Sequence, residues 1–253
     1  MNSFIGIIPA RFASSRFPGK PLADLNGKPM VQRVYERAAE CLPDVFVATD
    51  DERIFERVEK FGGKVLMTST DHKSGTDRCA EAADKITSIT GSLVDVVINI
   101  QGDEPFFRKE QIDALKKCFE DKNTQIATLV KKIDRKEVIF DPNRPKVVID
   151  KKGFALYFSR SPIPYLRDYK PEEWLKEYPF YQHIGMYAYT LNVLQKITKL
   201  PEGHLEKAES LEQLRWLENG YHIKTAETAF ESFGIDTPAD LQHMLDKGIP
   251  NDS

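Results

Sequence analysis

The chain has 253 residues, of which 30% are charged, and its formal net charge is −3. This balance gives no reason to expect a nucleic acid partner, and the length suits one large α/β domain or one domain with a sizeable insertion. The three cysteines are widely spaced without a C-x-x-C motif, which argues against a disulfide framework or a zinc site and for a reducing compartment. Because there is no apolar run of about 20 residues and no charged-then-apolar leader, we expect a cytoplasmic protein without stable membrane association.

The first predicted strand runs directly into a basic loop. The segment IGIIPARFASSRFPGKPL, residues 5–22, begins with apolar residues and then carries Arg11, Arg16 and Lys20. Small residues allow backbone N–H groups of this loop to approach phosphate oxygens: Ser14, Ser15 and Gly19. The loop therefore predicts a nucleoside triphosphate site, although an exposed basic turn is an equally good interpretation. It is neither a Walker loop nor a dinucleotide fingerprint, because Lys20 is followed by Pro21 and no G-x-G-x-x-G occurs.

Strands and helices alternate over the next hundred residues. Helical spacing predicts helices over residues 30–42, 51–61, 77–89 and 109–119, and short apolar runs predict strands over 45–48, 65–67, 93–100 and 126–130. The segment LVDVVINI, which starts at Leu93, is the most apolar of these strands and is typical of a central parallel strand covered on both faces. The pattern predicts an α/β fold with a mostly parallel central sheet.

From about Asp141 the pattern changes. Two short strands, 146–149 and 154–158, flank the turn sequence DKKG and predict an antiparallel hairpin. Residues 159–181 read as a long irregular excursion around Trp174, which is expected to cover a ligand or to form a dimer interface. A strand over 183–190, a helix over 209–218 and a strand over 222–229 follow. A helix capped by Thr237 then runs to Lys247, before Gly248. We predict a single domain over 1–253 with an insertion at about 141–190.

Two acidic residues follow predicted strands. Asp103 comes directly after the most apolar strand, and Asp236 precedes the last helix. Strand exits meet at the carboxyl edge of an open α/β sheet, where ligands bind. Two carboxylates beside a phosphate-binding loop suggest Mg²⁺, which takes oxygen ligands from carboxylates and phosphates. Each residue could instead be a turn or cap residue.

Other polar positions have two interpretations. Ser74 and Arg78, in the segment SGTDR, could start a helix or contact a base or ribose. Arg160 and His183 could be structural or could bind a ligand. The remaining histidines show no metal-ligand spacing and are expected at the surface or in the core: His72, His204, His222 and His243.

Several segments together resemble a known family. In order along the chain they are IPARFASSRFPGKPL, SGTDR, NIQGDEPF, YFSRSPIPY, QHIGMYAY, LEQLRWLENG and GIDTPADL. Their sequences and spacings, from Ile5 to about Leu241, closely resemble the 3-deoxy-manno-octulosonate (Kdo) cytidylyltransferases, also called CMP-Kdo synthetases. The PGKPL ending of the first loop separates the chain from the otherwise similar CMP-sialic acid synthetases.

The resemblance implies a Rossmann-like nucleotidyltransferase fold with an inserted antiparallel portion that forms a homodimer. It also implies that CTP and Kdo give CMP-Kdo and pyrophosphate, with Mg²⁺, for lipopolysaccharide synthesis. The roles implied residue by residue place the nucleotide on Ala10, Arg11, Arg16, Lys20, Ser74, Arg78 and Gln101. They place the sugar on Gln101, Arg160, His183, Glu212 and Gln213, the metal on Asp103 and Asp236, and catalysis on Arg11, Lys20, Asp103 and Asp236.

Other functions stay open at this point. Another ulosonic acid could be the substrate, either 8-amino-Kdo or an acid of the sialic type. A nucleotide-binding protein without catalysis is a further alternative, although such a protein needs no pair of metal ligands. A glycosyltransferase of the A type fits poorly, because Gly102-Asp103-Glu104 lacks the Asp-x-Asp motif after the central strand.

Overall fold

The computed structural model describes residues 2–14, 16–91, 94–231 and 233–247. The density of contacts divides the chain into two compact units. The first unit comprises Met1–Lys109, Thr190–Thr198 and Ser232–Ser253, and the second comprises Glu110–Tyr189 and Lys199–Glu231. The prediction of one domain with an insertion stays a prediction. Ser15, Leu93 and Gly248, which the sequence assigned to the basic loop, to a strand and to a helix end, lie outside the described residues.

Parallel strands form the sheet of the first unit. They are β1 (Phe4–Ala10), β2 (Val45–Thr49), β3 (Val65–Met67) and β4 (Val96–Asn99), in the spatial order β3-β2-β1-β4. β1 pairs in parallel with β2 on one side and with β4 on the other. Ile5, Ile7 and Ile8 are all buried, as expected of a strand covered on both faces. Because the chain order reverses at β1, the loops that leave β1 and β4 flank the switch point where open α/β sheets bind ligands.

The helices of the first unit follow the predicted alternation. They are α1 (Met30–Cys41), α2 (Glu52–Lys60), α3 (Gly75–Thr90), α7 (Leu191–Ile197) and α10 (Pro238–Lys247), and a 3-10 turn covers Lys20–Leu22. Side-chain caps fix two of the helix starts. Asp51 accepts a hydrogen bond from the Arg53 N–H at 3.0 Å before α2, and Ser74 forms a capping box with Asp77 at α3. The sequence did not predict α7.

The second unit contains a mixed sheet. Its strands are β5 (Ile126–Lys132), β6 (Lys146–Ile149), β7 (Ala155–Ser159), β8 (Tyr181–Thr190) and β9 (Ile223–Glu227). β5 pairs antiparallel with β8 and parallel with β9. β6 and β7 form the predicted hairpin, and β6 also pairs antiparallel with β8. The prediction of a mostly parallel sheet joined by antiparallel strands is therefore confirmed.

Apart from α4, the helices of the second unit are short. They are α4 (Lys109–Cys118), α5 (Lys136–Phe140), α6 (Trp174–Glu177), α8 (His204–Glu209) and α9 (Gln213–Glu218). The predicted helix over 209–218 is wrong in its first residues. The backbone of Ser210 has φ of 50°, so α8 ends there and α9 begins as a separate helix. A left-handed backbone ends a helix because it cannot continue the hydrogen-bond ladder.

The irregular excursion packs on its own unit. The Trp174 side chain is buried with Ile133, Ile139 and Phe180, and its ring stacks on that of Phe180 at 5.7 Å between centroids. Trp174 Nε1 donates to the carbonyl of Tyr169 at 3.1 Å. Trp174 is therefore part of the hydrophobic core, and the role of this excursion in a dimer stays a prediction.

Candidate functional site

A cavity of about 290 Å³ lies at the switch point of the first unit. Its walls come from the loop after β1, from the start of α3, from the loop after β4, and from Asp236. The structure brings together here all the sequence-predicted nucleotide, metal and catalytic residues: Ala10, Arg11, Arg16, Lys20, Ser74, Arg78, Gln101, Asp103 and Asp236. Residues more than 200 positions apart thus line one space.

The basic loop is fixed by a glycine turn. Gly19 has φ of 71°, and a Cβ atom there would lie 3.0 Å from the Phe12 ring, so both the backbone and the space require glycine. The Gly19 N–H donates to the Phe12 carbonyl at 2.9 Å. The next residues form the 3-10 turn, in which Pro21 is buried. This turn holds the backbone of Lys20 in place, whereas Arg11 and Arg16 are exposed.

The loop after β4 lies against β1. A Cβ atom on Gly102 would lie 2.9 Å from the backbone oxygen of Pro9, closer than a side chain allows. Glycine at this position therefore lets the loop approach the end of β1 and brings Asp103 to the cavity.

A cation bridges the two acidic residues. Lys20 Nζ donates to Asp103 Oδ2 at 2.6 Å and to Asp236 Oδ1 at 3.1 Å. Arg16 Nη2 lies 3.3 Å from Asp236 Oδ2. The two carboxylates therefore lie close enough to share one cation, here the Lys20 ammonium, and their binding of a metal ion stays a prediction.

Local packing explains why Asp236 reaches Asp103. The Ile235 N–H donates to the Asp103 carbonyl at 2.9 Å, and the Ile235 side chain is buried with Leu25 and Met30. On the other side of Asp236, Thr237 caps α10. Its hydroxyl accepts from the Asp240 N–H, and Asp240 Oδ2 accepts from the Thr237 N–H at 2.8 Å. The predicted capping box is confirmed, and it orients the residue that precedes it.

Ser74 and Arg78 both have structural partners. Ser74 Oγ accepts from the Asp77 N–H at 3.1 Å, as the helix-start interpretation predicted. The Arg78 side chain is buried, and its Nη2 donates to Asp50 Oδ2 at 2.6 Å while Nη1 donates to Thr68 Oγ1 at 2.5 Å. The guanidinium is thus held inside the first unit at the wall of the cavity. A contact of either residue with a nucleotide stays a prediction.

His72 lines the cavity, which the sequence reasoning missed. Its Nε2 forms a hydrogen bond with Glu81, whose other oxygen forms an ion pair with Lys85 at 2.8 Å. Burial raises the pKa of Glu81, but hydrogen bonds from Lys85, the Ser69 N–H and His72 outweigh it and lower that pKa to about 2. The carboxylate is therefore ionised at neutral pH and orients the imidazole. The only signal in the sequence was the position of His72 two residues before SGTDR.

The predicted sugar-binding residues other than Gln101 belong to the second unit. Arg160 donates from Nε to the Glu209 carbonyl at 2.7 Å, from Nη1 to the Pro142 carbonyl at 2.9 Å, and from Nη2 to the Ser210 carbonyl at 3.2 Å. Three of its five N–H donors are thus satisfied by backbone oxygens. The guanidinium fixes the loops around it, and among the described residues its other two N–H groups have no partner and could meet a ligand.

Close to Arg160 lies a buried lysine. Lys146 is fully buried, and its Nζ donates to the Asp141 carbonyl at 2.8 Å. Burial and the neighbouring Arg160 lower the pKa of Lys146, Asp141 and Glu209 raise it, and the net result is a pKa of about 8. No pattern in the sequence indicates a buried amine here, because Lys146 stands in an ordinary strand pattern.

His183 is neutral at physiological pH. Its ring packs against Phe158 and Tyr187, and Nε2 forms a hydrogen bond of 3.1 Å with Thr128 Oγ1. Burial lowers the pKa of His183 to about 3. Any contact between His183 and an acidic sugar would therefore be a neutral hydrogen bond, since the imidazole carries no charge.

Gln213 and Glu212 stand at the start of α9. Glu212 is the N-cap residue, and Gln213 is the first helical residue and is buried. Gln213 Nε2 is enclosed without a hydrogen-bond partner in the described part of the second unit. A buried amide donor of this kind is suited to a ligand oxygen, because leaving it unsatisfied costs free energy.

Among the described residues no group of three or more His, Cys, Asp or Glu side chains could hold a metal ion. The pair of Asp103 and Asp236 still fits Mg²⁺, since this ion commonly uses one or two carboxylates and completes its shell with water and substrate phosphates. None of the helices in the described residues has both the length and the apolar composition of a membrane span.

Comparison with known proteins identifies the family. Residues 5–227 match the family model described as cytidylyltransferase. The 3-deoxy-manno-octulosonate cytidylyltransferase of Parabacteroides distasonis is 60% identical over 249 residues, covering 97% of this chain and 98% of the relative. The enzyme of the same name from Bacteroides thetaiotaomicron is also 60% identical, covering 95% and 96%. The chain belongs to the 3-deoxy-manno-octulosonate cytidylyltransferase family.

This chain is also similar to a solved structure whose name matches this family. It is a CMP:2-keto-3-deoxy-manno-octonic acid synthetase complexed with CTP, which is 43% identical to this chain. The match has a TM-score of 0.89 and covers 97% of this chain and 98% of the other. As a member of this cytidylyltransferase family the chain is a nucleotidyltransferase, and the resemblance derived from its motifs is confirmed.

Proposed function

We propose that the chain transfers CMP from CTP to the anomeric hydroxyl of 3-deoxy-D-manno-octulosonate, releasing pyrophosphate and supplying CMP-Kdo for lipopolysaccharide synthesis. The observation that carries this proposal is the cavity of the first unit, which joins a basic loop to the Asp103 and Asp236 pair. A triphosphate needs cations, and its reaction needs a metal held by carboxylates. The relatives named above, which are similar over nearly the whole chain, support the choice of both substrates.

In this proposal the side chains of the basic loop bind the triphosphate. Arg11 and Arg16 are exposed at the cavity, and Lys20 is held there on a fixed backbone. Cations at this position would stabilise the negative charge that develops on the departing pyrophosphate. Phosphoryl transfer offers little covalent chemistry to a protein, so positioning and charge neutralisation by these residues supply most of the rate.

Asp103 and Asp236 would hold the Mg²⁺. When bound, the ion would bring phosphate and sugar oxygens together and lower the pKa of the attacking hydroxyl, as metals do for water. The Ile235 contact and the Thr237 cap support this assignment, because they hold Asp236 rigidly beside Asp103.

In the second unit, the residues proposed to bind the sugar are Arg160, His183, Glu212 and Gln213. Arg160 keeps two donors for a carboxylate, and planar guanidinium geometry suits that group. Gln213 offers a buried amide that has no hydrogen-bond partner in the described second unit. His183 supplies neutral hydrogen bonding. Arg160→Ala is expected to raise the KM for Kdo more than the KM for CTP, and equal changes would remove Arg160 from the sugar site.

The proposal includes a homodimer that works in the cytoplasm. Cys41, Cys79 and Cys118 form no disulfide in the described part of the chain, which supports a reducing compartment. Light scattering tests the dimer: a chain that lacks part of residues 164–179 should be monomeric, and an unchanged dimer would assign another role to this excursion.

The direct test is pyrophosphate release with CTP across a panel of ulosonic acids. We expect turnover with Kdo, and the same assay compares 8-amino-Kdo and neuraminic acid. Release with neuraminic acid but not with Kdo would assign the chain to another substrate. Tight CTP binding without release of pyrophosphate with any acid would indicate a nucleotide-binding protein without catalysis.

A further inference from the structure

The position between Asp103 and Asp236 is occupied by the chain's own cation. The Lys20 ammonium contacts both carboxylates, at 2.6 and 3.1 Å. The Lys20 side chain is 16% exposed, whereas the Arg16 side chain on the far oxygen of Asp236 is 66% exposed. Lys20 is therefore the enclosed counter-ion of the pair, and Arg16 adds a screened contact at the rim.

The backbone of Lys20 is held by hydrogen bonds, whereas its side chain is free to change partners. The Lys20 N–H donates to the Phe17 carbonyl at 3.2 Å, and its own carbonyl accepts from the Ala23 N–H at 3.1 Å. The adjacent Pro21 is buried. The four-carbon stem, in contrast, has several rotatable bonds and carries a compact charge. A change of partner thus needs a change of rotamer and no movement of the loop.

A divalent ion and the Lys20 ammonium compete for the same oxygens. An ion that entered alone would have to displace the ammonium and would leave two positive charges close together, which is unfavourable. A triphosphate provides a new anionic partner for the ammonium within the same cavity. When the ion and the nucleotide bind together, the ion takes the carboxylates and the ammonium takes the phosphates, so the repulsion between the two cations is relieved.

We propose that Lys20 is an exchangeable counter-ion, which holds the two carboxylates in the absence of nucleotide and moves to the triphosphate when CTP binds. As a consequence, the chain acquires its divalent-ion site only together with the nucleotide. This inference rests on the proposed function, because it takes the triphosphate and the ion from it.

The test is a calorimetric titration of Mg²⁺ into the full chain without nucleotide. Lys20→Met keeps the length of the side chain and removes its charge. We expect Lys20→Met to bind Mg²⁺ at least about tenfold more tightly than the unaltered chain, because the competing charge is gone. A titration with Mn²⁺, read by its electron paramagnetic resonance signal, gives a second measurement of the same affinity.

Matched variants separate this effect from a general change in charge. Lys64 pairs with Asp44 at 2.6 Å on the surface of the same unit, so Lys64→Met removes an equivalent lysine and should leave the affinity for Mg²⁺ unchanged. Asp103→Asn added to Lys20→Met should abolish the gain, because it removes one of the two carboxylates. Lys20→Gln provides a second uncharged variant if Lys20→Met does not fold.

The outcomes are distinct. Equal or weaker binding of Mg²⁺ by a folded Lys20 variant would overturn the inference, and so would an equal gain in Lys64→Met. Pyrophosphate release by the unaltered chain is a separate readout. Its absence would overturn the proposed function, whereas the ion titration uses no substrate and still decides whether Lys20 competes with the ion.

Discussion

Replacement of Asp103 by asparagine should separate catalysis from folding. Asp103→Asn keeps the shape of the side chain and an oxygen that can accept from Lys20, but it removes one of the two negative charges. The Asp103 and Lys20 side chains are 27% and 16% exposed, so their interaction is only partly screened. Lys20 retains its second partner, Asp236, at 3.1 Å. The change therefore removes a charge from the cavity and leaves no buried group unpaired.

Two magnitudes follow from this geometry. Loss of a partly exposed ion pair whose cation keeps another partner should lower the free energy of unfolding by about 1 kcal/mol, and hence the Tm by about 2–4 °C. Loss of a group that acts on the reacting phosphate should cost on the order of 3 kcal/mol of transition-state stabilisation, which is roughly a hundredfold in kcat. We therefore predict a large loss of kcat together with only a small fall in Tm.

Pyrophosphate release at saturating CTP and Kdo, measured over a series of Mg²⁺ concentrations, gives the rate, and calorimetry gives the Tm. Asp44→Asn is the matched control, because Asp44 pairs with Lys64 at 2.6 Å on the surface and should keep full activity. An Asp103→Asn variant that forms product at nearly the normal rate would remove Asp103 from the metal site. A Tm that falls far more than expected would assign Asp103 a structural role.

Three further predictions concern charged groups that are buried or half-buried. Arg78→Met leaves the Asp50 carboxylate without its partner at 2.6 Å, so the free energy of unfolding should fall by about 3 kcal/mol and the Tm by about 6–12 °C; a change confined to the KM for CTP would contradict this structural role. The pKa of Lys146 is lowered by burial from 10.5 to about 8, so the unfolded state binds more protons between these values and the free energy of unfolding rises across this window. Urea unfolding of Lys146→Met should lack this part of the rise, and equal slopes would refute it. The pKa of Glu81 falls from 4.5 to about 2, so the stability that Glu81 adds is present above about pH 4.5 and is lost as the pH falls toward 2; the difference in stability from Glu81→Gln should shrink over the same range and would stay constant if the carboxylate were unperturbed.

Features that depend on a few neighbouring residues could be predicted from the sequence. The Thr237 cap, the helix start at Ser74 and the hairpin of β6 and β7 are of this kind, because each is set by local backbone chemistry. The helix predicted over 209–218 failed for the opposite reason. A left-handed backbone is usually predicted from glycine, but here Ser210 adopts φ of 50°. A serine side chain does not indicate this conformation, so the end of α8 could not be predicted.

Most residues of the candidate site could be predicted from the sequence, but His72 and the hydrogen-bond partners of the site residues could not. The strand exits placed Asp103 and Asp236 at one edge of the sheet, and in the structure both line the same cavity. The sequence could not indicate that Arg78 would pair with Asp50, or that backbone carbonyls would hold three donors of Arg160. Such partners are chosen by the tertiary fold, since a charged group in a protein interior must find whatever opposite charge or dipole lies nearest.

The pairing within the cavity also bears on how ligands bind there. The charges that are proposed to meet CTP and Mg²⁺ are already compensated, because Lys20 and Arg16 hold the acids that would hold the ion. Folding therefore does not leave two like-charged carboxylates facing each other, an arrangement that would raise the free energy of the native state. In the proposed exchange, the lysine gives up carboxylates and gains phosphates, while the carboxylates gain the ion. Under this proposal, selectivity for the complete set of ligands follows from the competition between Lys20 and the ion and needs no large movement of the backbone.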